Sequence, residues 1–142
     1  MESARLPLLL LVEDDDLDAL IVKRSLCELH IPCEIVHAKD GEEALEYLIA
    51  CSCDLPRAIL LDLNMPRMDG FEFLGHARSH ARLKDIPVLV LTTSTSELDR
   101  TESLRLGAAR YIVKTLDAEA FRDSLRCVQN YCEPTTVPSL GL

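Results

Sequence analysis

Four consecutive carboxylates, Glu13, Asp14, Asp15 and Asp16, with Asp18 just beyond, follow the apolar segment LLLLV (8–12) without a break. Adjacent like charges repel and raise one another's pKa, so a cation, helix-end amides or water must offset them. Another acid, Asp62, ends the aliphatic run AILL, Thr92 and Thr93 end PVLVL, and Lys114 with Thr115 ends YIV. Carboxylates, a hydroxyl donor and one ammonium are the parts of a phosphoryl-transfer site. Glu13, Asp14 and Asp62 offer hard oxygen ligands suited to Mg²⁺, which needs only one or two carboxylates and keeps several waters. Lys114 can pair with a phosphate oxygen or, before the phosphate arrives, with Asp62. Asp62, enclosed between metal and lysine, is the candidate nucleophile, and its attack on phosphorus gives an acyl phosphate. The plainer alternative is an Asp that caps a strand-to-helix turn, and the polar set at four strand ends weighs against it.

These residues need strand ends that converge. Short aliphatic runs at 8–12, 33–38, 58–62, 87–92 and 110–114 alternate with segments of helical period at 14–30, 40–51, 69–80, 96–107 and 117–131. Most of the strands are too continuously apolar for a sheet with one wet face, so helices cover both sides. Strict alternation with short connections means a parallel sheet with right-handed crossovers, and five units cannot close an eight-stranded barrel. The expected fold is α/β, an open doubly wound five-stranded parallel sheet, whose crevice lies at the carboxyl ends of the strands. In the first helix Leu17, Leu20, Ile21, Leu26 and Leu29 trace the expected buried stripe, and in the fourth Leu98, Leu104 and Leu106 face inward with Gly107 as the cap. Asp15 is the expected N-cap of the first helix, with Asp16 and Asp18 in its first turn.

Composition narrows the function classes. A chain of 142 residues fits one domain, expected over 1–131, with a tail over 132–142. Net charge −9 disfavours binding to nucleic acid or to anionic membrane surfaces. The longest apolar run, LPLLLLV, is too short to span a bilayer and no basic leader precedes it, so a cytoplasmic protein is expected. The six cysteines are accordingly expected as reduced thiols, including the CSC pair Cys51 and Cys53. His76 and His80 stand four apart, but arginines at 78 and 82 and the lack of an adjacent Glu favour a solvated helix face over zinc. Glu42, Glu43 and Glu46 read as a second solvated face.

The pair in VED, then LLDLNMPRMDG, LTTS and YIVK, resemble in order and spacing the receiver domain of two-component response regulators, over roughly residues 6–131. That resemblance implies a flavodoxin-like strand order 2-1-3-4-5. It makes Asp62 the phosphoacceptor, gives Mg²⁺ to Glu13, Asp14, Asp62 and the Asn64 main-chain carbonyl, and sets Thr92 and Lys114 against the phosphoryl group. It also implies a switch in which Thr92 moves toward the phosphoryl group and Tyr111 swings inward; the plain alternative for Tyr111 is an edge-strand aromatic with a solvated hydroxyl. LTTSTSELD, SLRLGAARYIVKT and the loop ACSCDLPRA look most like single-domain receivers paired with phytochrome-type histidine kinases. Such a likeness implies a histidine kinase partner, a downstream protein target and a homodimer. The family usually follows its lysine with a cis proline, whereas Thr115 stands here, which leaves a reshaped trans turn or a strained cis one.

About a dozen residues follow the fifth helix, so the expected output is binding to another protein. The apolar tail residues Val137, Leu140 and Leu142 suggest an arm laid across a partner subunit. Besides a phosphorylatable switch, the residues allow a docking module that works without phosphorylation, for which Thr115 is the best support. They also allow a Mg²⁺-dependent phosphohydrolase, but the second Asp that such an enzyme uses as acid and base is Asn64 here. A turnover enzyme is therefore not expected.

Overall fold

Apolar residues on both faces of each central strand force a covered sheet, and the computed structural model, which describes residues 6–50, 54–65 and 67–133, has one. β1 (Leu8–Val12), β2 (Glu34–Ala38), β3 (Ala58–Leu61), β4 (Val88–Thr92) and β5 (Arg110–Val113) pair in parallel in the order 2-1-3-4-5. Between them run α1 (Asp16–Glu28), α2 (Gly41–Ala50), α3 (Gly70–Ser79) and α4 (Glu97–Arg105), and α5 (Ala118–Ser124) follows β5. The period of two along each strand sorts the core into two layers. Leu10, Val12, Ile59, Leu61, Val88 and Val90 pack with Phe73, Leu74 and Leu48 on one face. Leu9, Leu11, Leu60, Leu89 and Leu91 pack with Val22, Leu26, Phe121 and Leu125 on the other.

Two helices turn a different side to the sheet than leucine spacing suggests. In α1 the buried residues are Ala19, Val22, Ser25 and Leu26, whereas Leu17, Leu20 and Ile21 are 64%, 50% and 43% exposed. The small side chains let the helix sit close to β1, and hydrophobicity alone ranked the larger ones above them. In α4 only Ser103 is fully buried, its hydroxyl satisfied by the Asp99 carbonyl at 2.8 Å, while Leu98 is 82% and Leu104 43% exposed. Leu106 is half-buried against the core, as expected. Gly107, at φ +100°, closes the helix in a conformation that only glycine adopts cheaply.

The fifth helix is shorter than its pattern. It gives way to a 3₁₀ turn over Leu125–Val128 and one last turn, α6 (Gln129–Cys132). At the break Ser124 donates to the Phe121 carbonyl at 2.6 Å, so a side chain competes for the backbone acceptors that a continuing α-helix needs. Cys27, Cys33, Cys127 and Cys132 are free thiols. Cys51, Cys53 and the tail beyond 133, with the interaction arm expected there, lie outside the described residues.

Gly70 fixes where α3 begins relative to Asp62. A Cβ there would stand 2.6 Å from the Leu63 Cα and 2.8 Å from the Asp62 carbonyl oxygen, both backbone atoms. Gly70→Ala is expected to lower stability by about 2 kcal/mol in denaturant titration, with the slope unchanged.

Candidate functional site

Each of three acidic or basic site residues is the first residue past its strand, and a ladder hydrogen bond holds it there. The Glu13 N–H donates to the Ala38 carbonyl (3.0 Å), that of Asp62 to Val12 (3.0 Å) and that of Lys114 to Thr92 (2.7 Å). Side chains from β1, β3 and β5 consequently converge. One carboxylate oxygen each from Glu13, Asp14 and Asp62 lie within 4.8 Å of one another. Glu13 and Asp62 are buried, whereas Asp14 is exposed.

The Lys114 ammonium, which the sequence pairs with Asp62, is shared more widely. It donates to Glu13 Oε1 at 2.7 Å and to Asp18 Oδ2 at 3.1 Å, and stands 3.8 Å from Asp62 Oδ1. Sequence spacing alone places Asp18 only in the first turn of α1. Both roles hold, because Asp15 caps α1 by accepting from the N–H groups of Leu17 (2.8 Å) and Asp18 (3.0 Å), and this sets the phase that aims Asp18 inward. His37 was also missed. Its Nε2 donates to the Glu13 carbonyl at 2.7 Å, and the signal was its place in β2, opposite Leu11.

Charge in this crevice is under-compensated. Burial, above all, pushes the Glu13 carboxyl from 4.5 up to about 7, against the opposing pull of the Lys114 hydrogen bond and charge. Burial likewise raises Asp62 above its ordinary value, although Lys114 and the Asn64 N–H (3.3 Å from Asp62 Oδ1) pull it down. The Lys114 ammonium is itself opposed by burial, but its bond to Glu13 and the charges of Asp62 and Glu13 outweigh that and raise its pKa. Carboxylates from two strand ends, those of β1 and β3, and from α1 thus share one ammonium. Hard oxygen donors with this deficit fit a divalent cation.

On the far side of the crevice Thr92 is fully buried, and its Oγ1 accepts from the Ser94 N–H at 3.2 Å. Tyr111 does not leave its hydroxyl to solvent. It donates to the Ser94 carbonyl at 3.0 Å, and the Arg100 guanidinium lies 5.6 Å from the ring centroid. The Lys114–Thr115 peptide is trans, and the Thr115 hydroxyl donates to the Asp117 carbonyl at 3.1 Å, ahead of the α5 cap. Asn64 is exposed, and its N–H donates to Asp62 Oδ1 at 3.3 Å. His76 is exposed, and among the described residues Glu13, Asp14 and Asp62 are the group arranged to hold a metal.

The family model of the response regulator receiver domain matches residues 9–126. The chain belongs to that family. As a receiver it is 33% identical over 143 residues to the response regulator Rcp1 of Synechocystis sp., a match that covers 97% of each chain. Its fold matches the phosphorylated cyanobacterial phytochrome response regulator RcpA with a TM-score of 0.82 at 34% identity, covering 95% of this receiver and 100% of that chain. The Mn²⁺-bound form of Rcp1 matches with a TM-score of 0.80 at 33% identity, covering 94% and 99%. Among its relatives and structural neighbours are single-domain, phytochrome-associated response regulators, and its own fold is the receiver fold, consistent with phosphorylation-based signalling.

The acidic division has a direct test. Asp16 lies in the first turn of α1 while Asp14 belongs to the carboxylate group. Asp14→Ala is expected to weaken Mg²⁺ binding by at least tenfold in a calorimetric titration, and Asp16→Ala to leave it within about twofold and cost about 0.5 kcal/mol of stability.

Proposed function

We propose that this receiver accepts a phosphoryl group on Asp62 from a histidine kinase and signals by phosphorylation-dependent protein binding. The observation that carries the reading is the buried Asp62 carboxylate beside Glu13 and Asp14, with Lys114 3.8 Å away. Glu13, Asp14, Asp62 and the Asn64 carbonyl would hold Mg²⁺. When bound, the ion supplies positive charge against the phosphoryl oxygens. Asp62 Oδ attacks phosphorus, the bond to the kinase imidazole nitrogen breaks, and that nitrogen keeps the electron pair. Lys114 faces Glu13 and Asp62 together, so it can follow the new charge without leaving the crevice. Thr92 donates its hydroxyl to another phosphoryl oxygen, and Tyr111 reports the change through the loop they share. Hydrolysis of the acyl phosphate resets the switch slowly, with no other substrate turned over.

A surface for the kinase adjoins the site. Leu17, Leu20 and Ile21 are exposed on α1, Leu116 is fully exposed on the loop after β5, and a cleft of about 670 Å³ beside Lys114 is lined by Ile21, Ser25, Thr115 and Phe121. A histidine kinase of the phytochrome type is the partner supported by likeness to the phytochrome response regulator RcpA, and a cytoplasmic location is part of the same reading. The same reading takes the receiver as a homodimer.

Incubation with Mg²⁺ and a small phosphodonor is expected to give an acid-stable, base-labile adduct. Absence of the adduct would leave a docking module that works without phosphorylation. Ile21→Asp is expected to cut transfer from the kinase by about tenfold, since a charge would replace an apolar contact, and to leave labelling by the small donor unchanged. Equal losses with both donors would place the kinase elsewhere.

A further inference from the structure

At the amino ends of the strands, opposite the phosphoryl site, two thiols meet. Cys33 stands between Pro32 and β2, and the Glu34 N–H after it donates to the Pro7 carbonyl at 2.8 Å, which fixes its backbone at the edge of β1. Cys132 is the last residue of α6. Beyond it the Glu133 N–H donates to the Gln129 carbonyl at 3.2 Å, and the Glu133 carbonyl accepts from the Arg57 guanidinium at 3.0 Å. The Cys33 and Cys132 thiols are hydrogen-bonded to each other, in the apolar layer that includes Leu9, Ile31 and Val128.

Their surroundings differ. Cys132 is 3% exposed, whereas Cys33 is half-buried and lines an open cleft of about 730 Å³ together with Arg57. The bond from Cys132 draws the Cys33 thiol below its ordinary pKa in spite of burial, and the same bond, reinforced by burial, raises Cys132. Arg57 adds positive charge beside the pair. One sulfur is thus accessible and favoured as thiolate, and the other is sheltered behind it. That is the arrangement of an attacking and a resolving cysteine. The other described thiols are placed differently, since Cys27 is exposed and Cys127 donates to the Ser124 carbonyl at 3.5 Å.

We propose that Cys33 and Cys132 form a peroxide-sensitive modification site, in which oxidation joins them as a reversible disulfide that clamps α6 to the start of β2. The Cys33 sulfur attacks one oxygen of hydrogen peroxide and the O–O bond breaks. The other oxygen leaves as water with the proton released by Cys33, and a sulfenic acid remains. The Cys132 sulfur then attacks the Cys33 sulfur, the S–O bond breaks, and the hydroxyl leaves as water with the Cys132 proton. Peroxide is reduced to two waters, and each thiol gives up one electron. A small thiol reverses the step by exchange, which suits a chain whose described thiols are free. α6 is a four-residue turn cut off from α5 by the 3₁₀ segment, so a covalent tie there acts on local opening. The inference stands apart from phosphorylation of Asp62.

In the test the full chain is reduced, treated with a few equivalents of hydrogen peroxide, blocked with an alkylating agent and digested for mass spectrometry, beside Cys33→Ser and Cys132→Ser. Wild type should yield peptides linked through Cys33 and Cys132 that dithiothreitol separates. Its melting temperature should rise by about 5 °C, because a bridge between positions so distant in sequence restricts the unfolded chain. Amide exchange over 129–132 should slow roughly tenfold. Neither shift should occur in the Ser variants. In Cys132→Ser the reaction should stop at a sulfenic acid on Cys33 that dimedone traps, and before oxidation the wild-type Cys33 should alkylate roughly tenfold faster than Cys132. Sulfinic acid on Cys33 without a link in wild type, a link between other cysteines in its place, or a linked pair with unchanged melting and exchange would overturn the proposal. The link is mapped on wild type, so a Ser variant that fails to fold leaves the test intact.

Discussion

Lys114→Ala is expected to lose both phosphorylation and stability, and the second loss should depend on pH. In the wild type one ammonium serves Glu13 at 2.7 Å, Asp18 at 3.1 Å and Asp62 at 3.8 Å, and its side chain is only 12% exposed. Removing it leaves buried carboxylates without their counter-charge, which typically costs about 3 kcal/mol. It also removes the cation poised for the phosphoryl oxygens, so the labelling rate should fall on the order of 10²-fold.

The sign of the pH dependence follows from Glu13. Its pKa is raised from 4.5 in the unfolded chain to about 7 in the folded one, so between those values the folded state binds more protons. Stability without metal is then fully present below about pH 4.5 and falls as pH rises to about 7, by up to about 3 kcal/mol in wild type. Without Lys114 the carboxyl groups lose the charge that holds them down, so the fall is steeper and extends to higher pH. The variant should accordingly approach wild type near pH 4 and diverge from it near pH 8. Mg²⁺ should recover part of the difference at pH 8. Denaturant titrations at both pH values, with and without Mg²⁺, check all three points, and a deficit independent of pH would mean that Lys114 acts by packing alone.

Fold and site were legible to different degrees. The continuous runs LLLLV, AILL and VLVLT leave no choice but a sheet covered on both faces, and the residues ending those strands mark the crevice from sequence alone. Helix faces were less legible, because Ala19, Val22 and Ser25 pack against the sheet by being small while Leu17 and Leu20 stay outside. Burial of Ser103 depended on a hydroxyl bond to its own helix, which a hydrophobic period cannot show. The sharing of Lys114 with Asp18, and the bond from His37 to Glu13, arise from elements distant in sequence, so they needed the register of the sheet and the phase of α1. The turn at Thr115 was open in the sequence and is trans in the fold.

The second large effect concerns Asp62, 6% exposed, which places its carboxylate between Lys114 and the acids of β1. Asn is nearly the same shape but cannot form an acyl phosphate, so Asp62→Asn should fold, keep α3 in place and accept no phosphoryl group. Exchanging a buried carboxylate for an amide also relieves repulsion with Glu13, so the variant should be at least as stable as wild type at pH 8. The most direct measurement is mass spectrometry of both proteins after treatment with Mg²⁺ and a small phosphodonor. An acid-stable, base-labile adduct on wild type that is absent from Asp62→Asn is the predicted result. An adduct that persists at full yield in the variant, or that forms in neither protein, would contradict phosphorylation of Asp62.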